Sequence, residues 1–526
     1  MSPRPADAGT VRPIRHGPVL LVTCLALATV VAAMASLNVA LPDIARETHA
    51  SQTDLSWIIA AYSLVFASLL LLAGTLGDRF GRRKALLGGL TLFAVVSAAA
   101  TFTTHPGTLI ALRAVLGLAA AFVMPATLST ITTTFPREQR ARAVSVWAAV
   151  AGASAVLGLL ASGLVLEVWS WRSVFWLNVL MAGISLIGTL VVVPESAEPA
   201  RHGVDGIGAV LTVVGLGTLV YSVIEAPDQG WGSVRTLIGI VTGLVVLAAF
   251  VLWELRRRHP LLDPRLFRRP RLAAGALSVS LQFFAFFGFV FVFMQYLQLV
   301  RGDSALAAAV AVLPMAATMI PSTRLSPRLV ARFGSRAPWV LGLVGVAAGL
   351  VVLALLEADS SYGLVVAGLL PLGAGMGLAM APATAAITET LPPAQQNVGS
   401  AVNDLSRELG SALGIAVLSS VLASVYRSDL DVTGLPAPAA EQARSSLAAA
   451  YALRDPAVVT QARDAFTSAM HAALLTGAGA ALLGALTVAL LLRRTVGTPR
   501  GDTEGPRSAP AAPGTAREQG RGHPRG

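Results

Sequence analysis

Asp404, Arg407 and Glu408 are the charged residues of a stretch, 400–426, that is otherwise rich in small and apolar side chains. At i, i+3 and i+4 they fall within an arc of about 100° on one face of a helix. Two carboxylates within reach of one guanidinium can exchange protons: the cation holds an acid ionised until a rearrangement or a bound molecule breaks the pair. An alternative stays open, because 409–426 is long enough to cross a membrane alone, leaving the three charges as a solvated helix start. Arg113 is a second isolated charge, with apolar neighbours. It is suited to hold a carboxylate whose proton occupancy sets a conformation, unless its head snorkels to an interface. Asp78 is a third, lying within six residues of Arg79, Arg82, Arg83 and Lys84 on a turn permitted by Gly77 and Gly81. A lone acid among bases can act as a conformational latch, although a basic loop that merely orients the chain would look similar.

Other chemistry is not encoded in any recognisable pattern. His16, His49, His105, His202, His259, His471 and His523 are scattered, without metal-ligand spacing. No HExxH, GxxxxGK[ST] or GxSxG pattern occurs. The sequence therefore predicts no metal, no cofactor, no catalytic residues and no ATP-driven step; the chain is not expected to be an enzyme.

The elements that must position these charges follow from composition. Of 526 residues, 55% are hydrophobic and 13% charged, about half the charged share of an ordinary soluble domain. With one cysteine, Cys24, a disulfide scaffold is excluded. A soluble protein of this composition would expose large apolar patches, so an all-α polytopic membrane protein is predicted. The net charge of +11 does not indicate nucleic-acid binding, because the positive residues lie between apolar runs instead of along one face. A hydrocarbon core of about 30 Å needs about 20 apolar residues per helix. That ruler gives fourteen spans, at 18–41, 55–76, 85–104, 108–133, 143–165, 174–193, 206–225, 235–254, 272–298, 305–325, 338–356, 362–387, 400–426 and 467–492.

Alternating these spans with the N-terminus in the cytoplasm, and counting Arg235 and Arg324 at span ends with the adjoining loops, puts 29 of the 39 Lys and Arg residues inside and 8 outside, with Arg113 and Arg407 deeper within spans. This bias predicts that both termini are cytoplasmic. Arg-Phe-Gly recurs at 79–81 and 332–334, and Pro-Ala-Thr at 125–127 and 382–384. Offsets of 253 and 257 map the second span onto the tenth and the fourth onto the twelfth. Two six-helix bundles are thus expected at 18–193 and 271–492. Two inserted helices lie in a linker at 194–270, an outside loop at 427–466, and tails at 1–17 and 493–526, the latter disordered. Two such halves rocking about a central site is the plan of secondary transporters.

Gly74–Lys84 resembles the major facilitator signature G-x-L-x-D-R-x-G-R-[RK]-[KR]. Asn38-Val-Ala-Leu-Pro42, Trp57 with Tyr62, Arg113-x-x-x-Gly117, Trp171-Arg172-x-x-Phe175-x-x-Asn178 and Pro260-Leu-Leu-Asp-Pro264 resemble further landmarks of that superfamily, as do Tyr296-Leu-Gln298 and Asn403-Asp404-x-x-Arg407-Glu408-x-Gly410. Together they resemble the fourteen-helix drug:proton antiporters, the EmrB/QacA subfamily. The resemblance implies a major facilitator fold and export of amphipathic organic compounds, multidrug or antibiotic, in exchange for protons. It implies a monomer in the bacterial cell membrane, with lipid, protons and a small organic molecule as partners. A dedicated exporter of one metabolite (a self-made antibiotic, siderophore or lipid) and a non-transporting scaffold or receptor are the alternatives. Three departures stand out: Ala33 occupies a position that often holds an acid, Leu116 replaces a Gln, and Gly158-Leu159-Leu-Ala-Ser162-Gly163 lacks a Pro.

The expected site residues follow. Asp404, Glu408, Arg113 and Arg407 are the proton-coupling candidates. Gly74, Asp78, Arg79, Gly81 and Arg82 form the latch, and Asn38, Trp57, Tyr62, Phe287, Gln298 and Asn403 are expected to line a substrate cavity.

Overall fold

The computed structural model describes residues 16–197, 205–258, 260–391 and 396–493. The expected tails and the disorder predicted for the second lie almost wholly outside them. Fourteen helices are long and apolar enough to cross a membrane. They are α1 (His16–Thr48), α2 (Gln52–Phe80), α3 (Arg82–Ala100), α4 (Pro106–Thr134), α5 (Glu138–Leu166), α6 (Arg172–Val192) and α7 (Gly206–Ile224). The rest are α8 (Val234–Arg256), α9 (Pro270–Val300), α10 (Ala305–Phe333), α11 (Arg336–Leu353), α12 (Tyr362–Thr388), α13 (Val398–Asp429) and α14 (Pro456–Leu492). Local signals set the ends. Ser51 and Asp54 form a reciprocal capping box at the start of α2. Pro106 opens α4, and Gly81 and Gly334, at φ 119° and 75°, end the two Arg-Phe-Gly turns.

The expected outside loop, 427–466, is largely helical. Helix α13 continues to Asp429, α14 already begins at Pro456, and two short helices, Ala437–Ser445 and Leu447–Ala452, lie between them. Backbone groups of the segment are satisfied within helices, which a run of Ala from 448 to 450 favours.

Packing repeats between the halves. In α1–α6 the pairs α2/α4, α1/α5, α3/α4 and α3/α6 are in contact; in α9–α14 the matching pairs are α10/α12, α9/α13, α11/α12 and α11/α14. The repeat extends to single glycines. A Cβ on Gly117 would stand 2.3 Å from the Tyr62 carbonyl, and one on Gly373, 256 positions later, 2.1 Å from that of Met315. A Cβ on Gly158 would stand 2.8 Å from the Ala32 backbone, and one on Gly414, again 256 later, 2.2 Å from the Phe284 carbonyl. Small residues let these backbones touch, which is how helices associate where lipid removes the hydrophobic drive.

The halves meet along α2/α13 and along α5 with the first turns of α10, Ala305–Ala311. One end of the molecule carries the Gly74–Lys84 turn (the turn end) and the other the 430–455 segment (the loop end). Every hydrogen bond between described residues of the two halves lies at the loop end. Gln298 Nε2 donates to the Val39 carbonyl at 2.9 Å, and Leu306 N donates to Glu167 Oε1 at 3.1 Å. The Ser304 hydroxyl donates to the same Glu167 oxygen. These two donors hold the Glu167 carboxyl below its ordinary pKa. The molecule is closed at the loop end, and among the described residues no hydrogen bond joins the halves at the turn end.

Candidate functional site

Arg113 lies on α4 one turn before Gly117, whose backbone contact brings α4 hard against α2. Its guanidinium is therefore delivered to the Tyr62 ring, 4.4 Å from the centroid. The side chain is 1% exposed, so it does not snorkel. Nε donates to the Ile58 carbonyl at 2.9 Å and Nη1 to the Ala33 carbonyl at 3.4 Å, while Nη2 has no partner. Ala33 is the position that lacks the acid; its backbone oxygen faces the cation instead. Tyr62 is fully buried and donates its hydroxyl to the Val30 carbonyl at 3.0 Å. This residue, expected to line a cavity, is the platform for Arg113.

Glu408 approaches from the second half. It is 6% exposed, interacts electrostatically with Tyr62, and leaves Oε2 without a hydrogen-bond partner. It lies ten residues, roughly 15 Å, inside the Val398 end of α13. A solvated helix start would place it at the surface, so the alternative in which only 409–426 spans does not describe this helix. Asp404 and Arg407 lie on the same face but are only half-buried. No ion pair joins the three charges among the described residues: the Arg407 guanidinium stacks over Phe283 at 4.7 Å, and the Asn403 side chain lies beside Asp404. Spacing placed the Cβ atoms together; the aromatic face of α9 then took the guanidinium. Asn403 accepts from the Thr384 hydroxyl at 3.1 Å through Oδ1.

Asn38 is 1% exposed, its amide bonded along α1 and its Oδ1 unpartnered. One turn away, Ala35 helps line a cavity of about 20 Å³ with Ala155 and Leu159 of α5, Phe286 and Phe287 of α9, and Met315 of α10. That is room for roughly one water, so Phe287 borders an apolar seam between the halves. Gln298 belongs to the loop-end closure described above. Trp57 departs from expectation: its indole donates to Glu225 at 2.9 Å and packs on Tyr221, so it faces the inserted helix α7 and not a space between the halves.

In the signature turn, Asp78 accepts from Arg82 Nε at 2.6 Å. Its side chain remains 49% exposed and pairs within its own turn. Arg79 lies over Phe80, and Gly74 packs against Pro125. Glu195, which follows α6, carries no mark in the sequence. Its Oε1 accepts from Arg83 N at 3.3 Å, and a Cβ on Gly81 would fall 2.7 Å from that oxygen. Arg83 in turn donates to the Leu190 carbonyl at 2.7 Å. No short motif contains Glu195, since its partners lie more than 100 residues earlier.

Two repeat-related six-helix halves, each carrying a buried charged side chain with an unpartnered polar atom, define a secondary-transporter architecture. The chain belongs to the Major Facilitator Superfamily, whose family model matches residues 23–415. It is similar to the multidrug resistance protein Stp of Mycobacterium tuberculosis, at 36% identity over 75% of this chain and 74% of that one. It is also similar to the tetracenomycin C resistance and export protein of Streptomyces glaucescens, at 32% identity over 95% of both. Among solved structures, an inward-facing bacterial homologue of the human lysosomal transporter Spinster superposes with a TM-score of 0.65, covering 90% of this chain and 98% of that one at 16% identity. This is a multi-pass membrane protein of a transporter family, built to move small molecules.

Proposed function

We propose that the chain exports amphipathic organic compounds, of the multidrug or antibiotic kind, in exchange for protons. The observation that carries the coupling is Glu408: a buried carboxylate at the seam between the halves, with one oxygen unpartnered and, among the described residues, no cation bonded to it. Such an acid is costly to keep charged and is relieved by taking up a proton. Arg113, stacked on Tyr62, is the cation whose field a substrate or a closing movement would alter. The names of the relatives, multidrug resistance and antibiotic export, support the substrate class. The 29-to-8 distribution of Lys and Arg supports a bacterial cell-membrane location with both termini cytoplasmic. That orientation makes the turn end cytoplasmic and the present arrangement inward-open. The reading further has the protein acting as a monomer, without cofactor or enzymatic activity, and divides it into bundles 18–193 and 271–492 around the inserted pair.

The test uses everted membrane vesicles and a fluorescent organic cation. The wild type should accumulate the dye when a pH gradient is imposed, and a protonophore should abolish this. Glu408→Gln should lose uphill accumulation while retaining dye binding, with Asp404→Asn as its companion. If both variants, singly and together, still concentrate dye, the proton site is elsewhere. A second reading, export of one dedicated metabolite, is favoured by the full-length match to a protein named for one compound. A susceptibility panel in which only one compound class is tolerated better would support it.

A further inference from the structure

The inserted pair α7–α8 makes contacts that the proposed exchange does not use. The loop-end connection between them, residues 225–233, is bonded to both halves at once. On the α2 side, Thr53 donates its hydroxyl to Asp228 Oδ2 at 2.7 Å, and Trp57 donates its indole N–H to Glu225 at 2.9 Å. On the α13 side, Arg427 pairs with the other oxygen of Asp228, and Trp231 donates to the Ser424 hydroxyl at 2.8 Å. Ser420 donates to the Val223 carbonyl at 2.6 Å, and α7 itself packs on both α2 and α13. One carboxylate thus joins a hydroxyl of the first half to a guanidinium of the second, with Asp228 and Arg427 both largely shielded from solvent.

We propose that the α7–α8 hairpin is a strap that holds the loop end shut, with Asp228 as its clasp. The argument rests on the transporter reading only in requiring that the halves rock. For the loop end to open, α2 and α13 must part there, and a carboxylate bonded to both cannot follow both. At least one of the two Asp228 contacts must break, and the hairpin must travel with one half. The arrangement is matched across the molecule by Glu167, a single acid of the first half that holds Ser304 and Leu306 of α10. Each of the two seams therefore has one acid across its loop end. Charge-assisted hydrogen bonds of this kind are made in one state only, so they bias the equilibrium between states.

Spin-label distances in lipid nanodiscs test this independently of orientation. In a Cys24→Ser background, one pair (Ser170→Cys with Asp359→Cys) reports the loop end, and another (Arg142→Cys with Ala331→Cys) the turn end; all four positions are exposed. Asp228→Ala should raise the ratio of loop-open to loop-closed molecules about tenfold, lengthening the first distance and shortening the second. Thr53→Val, a mild substitution that removes only the first-half contact, should move both the same way by about threefold. Glu167→Gln is the control on the other seam. If Glu167→Gln shifts the distances while Asp228→Ala and Thr53→Val do not, the strap is refuted and the transporter reading stands. If no variant shifts either pair, the halves do not rock and both fall. If both distances lengthen together, the contact is merely structural and the strap is refuted.

Discussion

Replacing Arg113 with Met separates a functional cation from a structural one. The guanidinium contributes one good charge-assisted hydrogen bond to Ile58, one long one to Ala33, and a stacked contact with Tyr62. Taking about 1.5–3 kcal/mol for a hydrogen bond to a charged group and about 2 kcal/mol for a desolvated cation–π contact, these offer roughly 4–6 kcal/mol. Against them stand about 3 kcal/mol for placing an Arg in the membrane interior and about 1–3 kcal/mol for the donor left without a partner. The two sides nearly cancel. No carboxylate is bonded to Arg113, so its removal strands no opposite charge, the usual source of a large loss. The carbonyls of Ile58 and Ala33 lie within helices and keep their backbone partners. Met fills a similar volume against Tyr62. The expected outcome is an unfolding midpoint within about 5 °C of the wild type in detergent, together with loss of proton-driven dye accumulation in vesicles. A midpoint lowered by more than about 10 °C would show that Arg113 is structural. Full transport by a stable Arg113→Met protein would remove it from the mechanism.

Asp78→Asn should leave membrane abundance near normal, because its ion pair with Arg82 is half-exposed and worth under about 1 kcal/mol. Initial transport rates should nevertheless fall at least about tenfold if the turn is a latch; unchanged rates would reduce it to an orientation signal. Gly117→Ala and Gly373→Ala should each destabilise their own half by about 1–3 kcal/mol, because the added Cβ would fall 2.3 and 2.1 Å from a facing carbonyl oxygen. Thermal unfolding in detergent measures this, and midpoints equal to wild type for both would show that the backbones separate easily.

Hydropathy made the spans legible because each must satisfy its own backbone in lipid, and an apolar run of sufficient length has few other uses. The internal repeat located the halves, and the paired glycines at 117 and 373 and at 158 and 414 carry it down to single backbone contacts. Side-chain partners were far less legible. The i, i+3, i+4 spacing put Arg407 beside two acids, yet its rotamer follows Phe283 of α9, a choice no spacing within α13 encodes. Trp57 and Tyr62 are five residues apart on α2 and looked alike as cavity aromatics. Packing sends one to Glu225 of the inserted hairpin and the other under Arg113. Glu195, Glu167 and Asp228 went unnoticed for a common reason. Each is a single acid at a helix end or in a connection, and its partners are more than 100 residues away in sequence.

Those same distant pairs determine how the molecule can move. Within each half, helix backbones touch at glycines, and sliding one helix past another would drive a carbonyl into a Cα. The halves therefore resist internal deformation and are suited to move as rigid bodies. Between the halves, at the loop end, the polar joints include Gln298 to Val39, Ser446 to Ala50, Glu167 to Ser304 and Leu306, and the contacts made through the inserted hairpin, the two of Asp228 among them. The joints of Glu167 and Asp228 can exchange partners for water once the end opens, because they lie near the surface, so breaking each costs about 1–2 kcal/mol instead of a full desolvation penalty. Glu408 and Arg113 are different. They are buried at mid-depth, where an unpaired charge cannot turn to water, and a rigid rotation about the loop end changes their separation from Tyr62 and from each other. A proton taken up at Glu408 alters the energy of that arrangement far more than it alters any surface joint. In the proposed exchange the surface acids set the balance between the two states, and Glu408 ties that balance to the proton.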